Sequence, residues 1–123
     1  MSPLVPHLLL RTDPGTSHTA ALLRTAGYMV SKITDDNVLE QLAGAAHVDA
    51  VVVELPAMAA IAAARRIDAR YDQRVAMLII TPSPETVRRA MPSTPVLKPA
   101  DVDDDLVSAV DRSLVAHQIR LTG

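Results

Sequence analysis

The chain has 123 residues, of which 49% are hydrophobic and 21% charged, and its formal net charge is −2 at pH 7. These values are typical of one globular domain with its own core, and the balanced charge argues against a surface for nucleic acid or anionic membrane. The absence of cysteine excludes a disulfide framework, a thiolate nucleophile and cysteine metal ligands, and it suits a cytoplasmic protein. The N-terminus lacks a basic signal-peptide region, and no run reaches the ~18 apolar residues of a membrane span.

Short apolar runs alternate with amphipathic stretches along the whole chain. The runs HLLLRT, AVVVEL and VAMLIIT are continuously apolar until their last residues, as in strands that are covered on both faces. YMVSKIT is a strand with a more polar exit, and TPVLKP is a brief last strand. These patterns predict five strands, at about 7–12, 28–34, 50–55, 75–81 and 94–99.

Five helices are predicted between and after these strands, at about 16–26, 35–47, 57–72, 83–91 and 101–119. Gly27 should end the first helix, Asp35 or Asp36 should begin the second, and Ser83 with Pro84 should begin the fourth. The residues predicted to face the core are Ala20, Leu23 and Ala26, then Val38, Leu39 and Leu42, and finally Val102, Leu106, Val110 and Leu114.

This alternation predicts an α/β fold with a parallel sheet and right-handed crossovers. In its flavodoxin-like form, the fold is a three-layer, doubly wound sheet of five strands in the order 2-1-3-4-5. No linker or internal repeat divides the sequence, so we expect a single domain over 1–123, with a core from about 6 to 117 and a short tail from about Gln118.

Polar residues end four of the predicted strands, and the carboxyl ends of parallel strands meet at one edge of the sheet. The residues are Arg11 with Thr12, then Glu54, Thr81 and Lys98. Because a buried charge normally has a partner, we expect Glu54 to lie within reach of Arg11 and Lys98.

The ordered set of strand ends resembles the receiver domain of two-component response regulators, the CheY-like fold, over nearly the whole chain. LLLRTDP is similar to the first strand with its acidic pair, and DAVVVEL to the third strand with its phosphorylated aspartate. MLIITPS is similar to the fourth strand with its switch Thr or Ser, and VLKP to the fifth with its phosphate-contacting lysine. Thr81 and Lys98 would therefore be the retained switch and phosphate-contact residues.

The sequence departs from that pattern where phosphorylation chemistry needs carboxylates. The acidic pair that would hold Mg²⁺ is replaced by Arg11 and Thr12, and Asp13 falls just after it. Arginine repels a divalent cation, and a threonine hydroxyl is a weak ligand at best. Glu54 stands at the acceptor position with one methylene more than aspartate. The resemblance therefore implies a degenerate pseudo-receiver, with no metal, no cofactor and no catalytic residue.

Each of these residues also has an ordinary structural interpretation. Glu54 is either a solvated acid at a strand end, or a fixed anion that mimics the phosphorylated state or locks the pocket with Arg11. Lys98 is either a surface base or the partner of Glu54, and Thr81 is either a β-branched strand end or a switch. The chain's histidines have no metal-ligand spacing; they are His7, His18, His47 and His117.

Three functions remain open. The first is a phosphorylation-independent signalling module that binds a protein partner through the face around strands four and five and helices four and five, about Val75 to Leu114. That face, or the first helix, could also form a homodimer. The second is an unconventional receiver that is still phosphorylated or is controlled by a ligand at the rim. The third is a small-molecule-binding flavodoxin-like domain.

Overall fold

The computed structural model describes residues 5–15 and 17–122, with side chains up to residue 117. Strands and helices alternate through these residues in the predicted order. The strands are β1 (His7–Arg11), β2 (Met29–Ile33), β3 (Ala50–Glu54), β4 (Met77–Ile80) and β5 (Val96–Leu97). The helices are α1 (His18–Thr25), α2 (Asp36–Leu42), α3 (Ala57–Tyr71), α4 (Pro84–Ala90) and α5 (Val102–Thr122), and a 3-10 turn over Pro99–Asp101 leads into α5.

The five strands form one sheet in the order β2-β1-β3-β4-β5, and every neighbouring pair is parallel. This confirms the predicted flavodoxin-like fold. The register places Leu10 beside Val52 and Val52 beside Leu78, so the carboxyl ends of the central strands lie together.

The sheet separates two layers of core. Leu8, Leu10 and Val52 face α1 and α5, whereas Leu9, Val51 and Val53 face α2, α3 and α4. All six side chains are buried. Burial of each such side chain stabilises the fold by about 1.5–3 kcal/mol, which explains why the central strands contain almost no polar residues.

Predicted capping residues begin and end several helices. The Asp35 carboxylate accepts hydrogen bonds from the amides of Asn37 and Val38 at 2.7 and 3.2 Å, as an N-cap should. Gly27 has φ +104°, the conformation that glycine adopts most easily after a helix. Pro84 lies in the first turn of α4, but the Ser83 side chain makes no capping hydrogen bond.

Three residues predicted to face the core are exposed. Val38 and Leu42 are 41% and 37% exposed, and Ala26 also lies at the surface. Helix α2 has only seven residues, and it packs through the single stripe that contains Leu39 and Ala43. Ala26 is the C-cap of α1 rather than part of its packed face.

Helix α5 extends beyond its predicted end. Its backbone is helical to Thr122, although the residues from about Gln118 were expected to form a tail. No glycine or proline interrupts the segment before Gly123, so its backbone has no local reason to leave the helix. None of the described helices is both long enough and apolar enough to cross a membrane.

A tyrosine ring occupies the space that a side chain at residue 44 would need. The Tyr71 hydroxyl donates to the carbonyls of Glu40 and Gln41 at 2.5 and 3.2 Å, which attaches the end of α3 to the end of α2. A Cβ atom added at Gly44 would overlap the Tyr71 ring. The fold therefore requires glycine here because of this ring and not because of a positive φ.

We predict that Gly44→Ala lowers the free energy of unfolding by about 1–3 kcal/mol, the usual range for overpacking. The same substitution in a Tyr71→Leu background should be nearly neutral, because the ring that it would displace is gone. Urea denaturation of the four proteins in this cycle measures the coupling. Equal losses in both backgrounds would show that Tyr71 is not the reason for the glycine.

Candidate functional site

Two buried threonines hold the carboxyl group of Glu54 at the end of β3. The Thr12 hydroxyl donates to Oε1 at 3.1 Å, and the Thr19 hydroxyl donates to Oε2. Thr12 is 7% exposed and Thr19 is 2% exposed. Hydrogen bonds of this kind, from neutral donors to a carboxyl group, connect the ends of β1 and β3 to the first turn of α1.

Strand geometry explains why Glu54 contacts α1. Successive side chains of a strand point to opposite faces. Val52 faces α1 and α5, so Glu54, two residues later, lies on the same side. Ser17 begins α1 by accepting a hydrogen bond from the Ala20 amide at 3.0 Å, and this places Thr19 in the first turn beside Glu54.

Arg11 lies on the other face of the sheet, with a different partner from the one predicted. Its Nε donates to Asp36 Oδ1 at 2.6 Å, and one of its terminal nitrogens donates to the Thr12 carbonyl at 3.0 Å. Arg11 is paired in register with Val53, whose side chain packs against α2, α3 and α4. The predicted Arg11–Glu54 pair was therefore wrong, because adjacent positions of this register point away from each other.

Lys32 places a second cation at the edge where a metal would be expected. It neighbours Leu10 in the β1–β2 register, and its ammonium group donates to the Gly15 carbonyl in the loop after β1. Lys32 was not among the residues predicted to lie at this edge. The polar exit of the second strand was the available signal, but that pattern alone does not show what the side chain contacts.

Lys98 and Thr81 keep the residue types of a receiver, but neither side chain forms a hydrogen bond with Glu54. The Lys98 side chain is exposed and forms no hydrogen bond or salt bridge with another described residue, so its predicted pairing with Glu54 was wrong. The Thr81 side chain is fully buried, and its hydroxyl lies 3.5 Å from the Ser83 amide at the start of α4. The peptide bond between Lys98 and Pro99 is trans.

The residues around the end of β1 do not fit the Mg²⁺ ion that a receiver would use. Arg11 and Lys32 are cations, and the Thr12 hydroxyl is already donated to Glu54. Asp13 is exposed, and the described part of the chain contains no cluster of three histidine, aspartate or glutamate side chains. Mg²⁺ prefers several oxygen ligands in near-octahedral geometry, which this set of donors does not offer.

The described histidine contacts are structural. His7 Nε2 forms a hydrogen bond of 2.7 Å with the Ser31 hydroxyl, and the His7 ring stacks on the ring of His47. His18 pairs with Asp103 at 2.5 Å, joining the first turns of α1 and α5 at an exposed position. These contacts agree with the absence of metal-ligand spacing in the sequence.

Comparison with known proteins identifies solved structures that share this fold. The sequence matches no protein-family model and no curated protein. The structure is similar to the signal receiver domain of an HD domain-containing protein from Pseudomonas fluorescens, with a TM-score of 0.76, 19% identity and coverage of 99% of this chain and 96% of that one.

Two further solved structures agree. A response regulator receiver protein from Sinorhizobium medicae has a TM-score of 0.71 and 20% identity, covering 92% of this chain and 97% of that one. The chemotaxis protein CheY4 from Vibrio cholerae has a TM-score of 0.64 and 20% identity, covering 89% and 99%. At these identities the likeness establishes a receiver-type fold, as the strand ends had indicated.

We predict that Glu54→Gln lowers the free energy of unfolding by about 1–2 kcal/mol, because the amide keeps only one of two acceptor oxygens. Glu85→Gln is the matched control. Glu85 forms an exposed ion pair with Arg88 one turn along α4, and its loss should be below about 0.5 kcal/mol. Urea denaturation compares the two variants. Equal losses would show that the Thr12–Glu54–Thr19 hydrogen bonds stabilise the fold no more than an exposed ion pair does.

Proposed function

We propose that this chain is a signalling module with a receiver fold that acts without phosphorylation, by binding a protein partner. The observation that carries the proposal is the Thr12–Glu54–Thr19 contact. A receiver's acceptor side chain has to be available for attack on a phosphodonor, whereas both oxygens of Glu54 accept hydrogen bonds inside the fold.

The surroundings of Glu54 support the same proposal. Phosphoryl transfer depends on positioned cations that neutralise charge on the phosphoryl oxygens. Here the Arg11 guanidinium is turned to Asp36 on the opposite face, and Lys32 is bound to a loop carbonyl. Lys98 is exposed rather than directed to Glu54. The chain therefore resembles a receiver in fold while the side chains around its acceptor position have structural roles.

The partner would be a protein that recognises the face formed by β4, α4, β5 and α5, between Val75 and Leu114. Exposed arginines lie on both helices of this face, Arg89 on α4 and Arg112 on α5, and neither has a partner among the described residues. A second copy of the chain is an alternative occupant. With a net charge of −2, the protein as a whole is a poor candidate for nucleic acid or an anionic membrane.

The remaining parts of the proposal follow from this role. The module is not an enzyme and needs no cofactor. It works in the cytoplasm, a reducing environment that suits a chain without cysteine because it has no disulfide bonds to break. The second candidate function is an unconventional receiver that is still phosphorylated. The identities of Thr81 and Lys98 favour it, and the first experiment below separates the two.

We predict that incubation with acetyl phosphate and Mg²⁺ leaves the intact mass unchanged, because the described residues form no metal site and both Glu54 oxygens already accept hydrogen bonds. The triple variant Arg11→Asp, Thr12→Asp and Glu54→Asp restores the acids that a receiver has at these positions, and it serves as the positive control. Intact-protein mass spectrometry measures the mass of the natural protein and of the triple variant after incubation. A phosphoryl adduct on the natural sequence, lost in Glu54→Gln, would establish the second candidate instead.

We predict that a protein captured from lysate of the source organism binds equally well with and without acetyl phosphate. Arg89→Glu with Arg112→Glu should abolish capture, since the two reversals replace exposed cations with acids on both helices of the proposed face. Arg74→Glu is the matched reversal outside α4 and α5. Capture that needs the phosphodonor, or that is lost equally in Arg74→Glu, would contradict the proposal.

A further inference from the structure

A cavity of about 360 Å³ opens at the amino-terminal edge of the sheet, opposite the edge that carries Glu54. It exists because its two flanking helices differ in length. Helix α3 has 15 residues and α4 has seven, so α3 extends about two turns further. The segment from Met91 to Pro95 covers the remaining space only in part.

The cavity contains one carboxylate and one guanidinium without partners. Asp68 and Arg65 lie one turn apart on α3, and both line the cavity. Neither side chain forms a hydrogen bond or salt bridge with another described residue, whereas Arg66 beside them binds Asn37 and Glu40. Burial raises the pKa of the Asp68 carboxyl, as expected for an acid that has lost water without gaining a partner.

The rest of the lining favours a cation near Asp68 and an apolar group behind it. Ala90 and Met91 form the carboxyl end of α4, where the helix dipole places partial negative charge. Met77 and Met91 are 7% and 8% exposed, and their flexible, polarisable side chains adapt to aliphatic groups. The volume lies near the lower end of the range for small-molecule sites, about 300–1,000 Å³.

We propose that this cavity binds a small zwitterion of amino-acid size. Its ammonium group lies against Asp68 and the carboxyl end of α4, its carboxylate lies against Arg65, and its aliphatic side chain contacts Met77 and Met91. The two charges of the ligand match two unpartnered charges spaced three residues apart on one helix. The site goes beyond the proposed signalling function and does not depend on it.

Asp68→Asn is a suitable test variant because it should fold at least as well as the natural protein. A raised pKa means that the folded state holds its proton more tightly than the unfolded state, so ionisation of Asp68 opposes folding at neutral pH. Removing that charge should raise the melting temperature at pH 7. The gain should vanish below the ordinary pKa of 3.8, where the carboxyl is protonated in both states.

The experiment uses protein labelled with ¹³C at the methionine methyl groups and three probes: L-norleucine, n-butylamine and hexanoate. We predict that norleucine shifts the Met77 and Met91 methyl signals with a dissociation constant of about 1 mM, as expected for so small a ligand. Met29 and Met58, which are 56% and 73% exposed and lie outside the cavity, are internal controls and should not move. Butylamine and hexanoate each lack one of the two charged groups, so each should bind at least about tenfold more weakly.

Two variants test which side chain binds each charged group of norleucine. Asp68→Asn should weaken norleucine binding by at least about tenfold, and Arg65→Gln should weaken norleucine but leave butylamine unchanged. Asp111→Asn on α5 is the control for removal of a surface acid, and it should change nothing. Absence of norleucine shifts at Met77 and Met91, equal shifts with hexanoate, or full binding by Asp68→Asn would each overturn the proposal.

Discussion

The alternation of side chains along β1 and β3, in a register that pairs Arg11 with Val53, determines which side chains meet at the sheet edge that carries Glu54. It directs Arg11 to Asp36 on the face of α2, and Glu54 to Thr12 and Thr19 on the face of α1. Because Glu54 is one position beyond Val53, its carboxylate points to the opposite face of the sheet from the Arg11 guanidinium. The two groups could meet only if one strand slipped by one residue. Such a slip would expose the buried leucines and valines of both strands, which is far more costly than one lost ion pair.

The consequence is a receiver-type fold in which both carboxyl oxygens of Glu54 accept hydrogen bonds from neighbouring threonines. In place of a metal and a phosphoryl group, the edge has a salt bridge to α2, a lysine bound to a loop carbonyl and a carboxyl group with two hydroxyl donors. All three contacts attach loops or helix starts to the sheet, so they hold the edge in one arrangement. This fixed arrangement is the basis of the proposal that the module binds a partner without switching.

Much of the fold could be predicted from the sequence because the strands are continuously apolar and several helices begin or end at recognisable capping residues. Strand order, the Asp35 cap and the Gly27 turn were all confirmed. The sequence also indicated which residues end the strands, but not their partners, since pairing depends on register and on the faces that the helices cover. Val38 and Leu42 show the same limit, because periodicity marks an apolar stripe without telling how much of it a short helix buries. The unequal lengths of α3 and α4 were predicted, but the cavity beside Asp68 depends on how these helices and the segment after α4 pack together, which the sequence pattern does not show.

The most direct measurement is a titration of the natural protein with Mg²⁺ at constant ionic strength, followed through the backbone amide signals. We predict only small, non-saturating changes at Thr12, Asp13 and Leu55, because the described residues offer few oxygen ligands there and those of Thr12 and Glu54 are already bonded within the fold. A saturable shift confined to these amides would contradict this prediction, since it would show that a divalent cation binds at the edge in spite of Arg11 and Lys32.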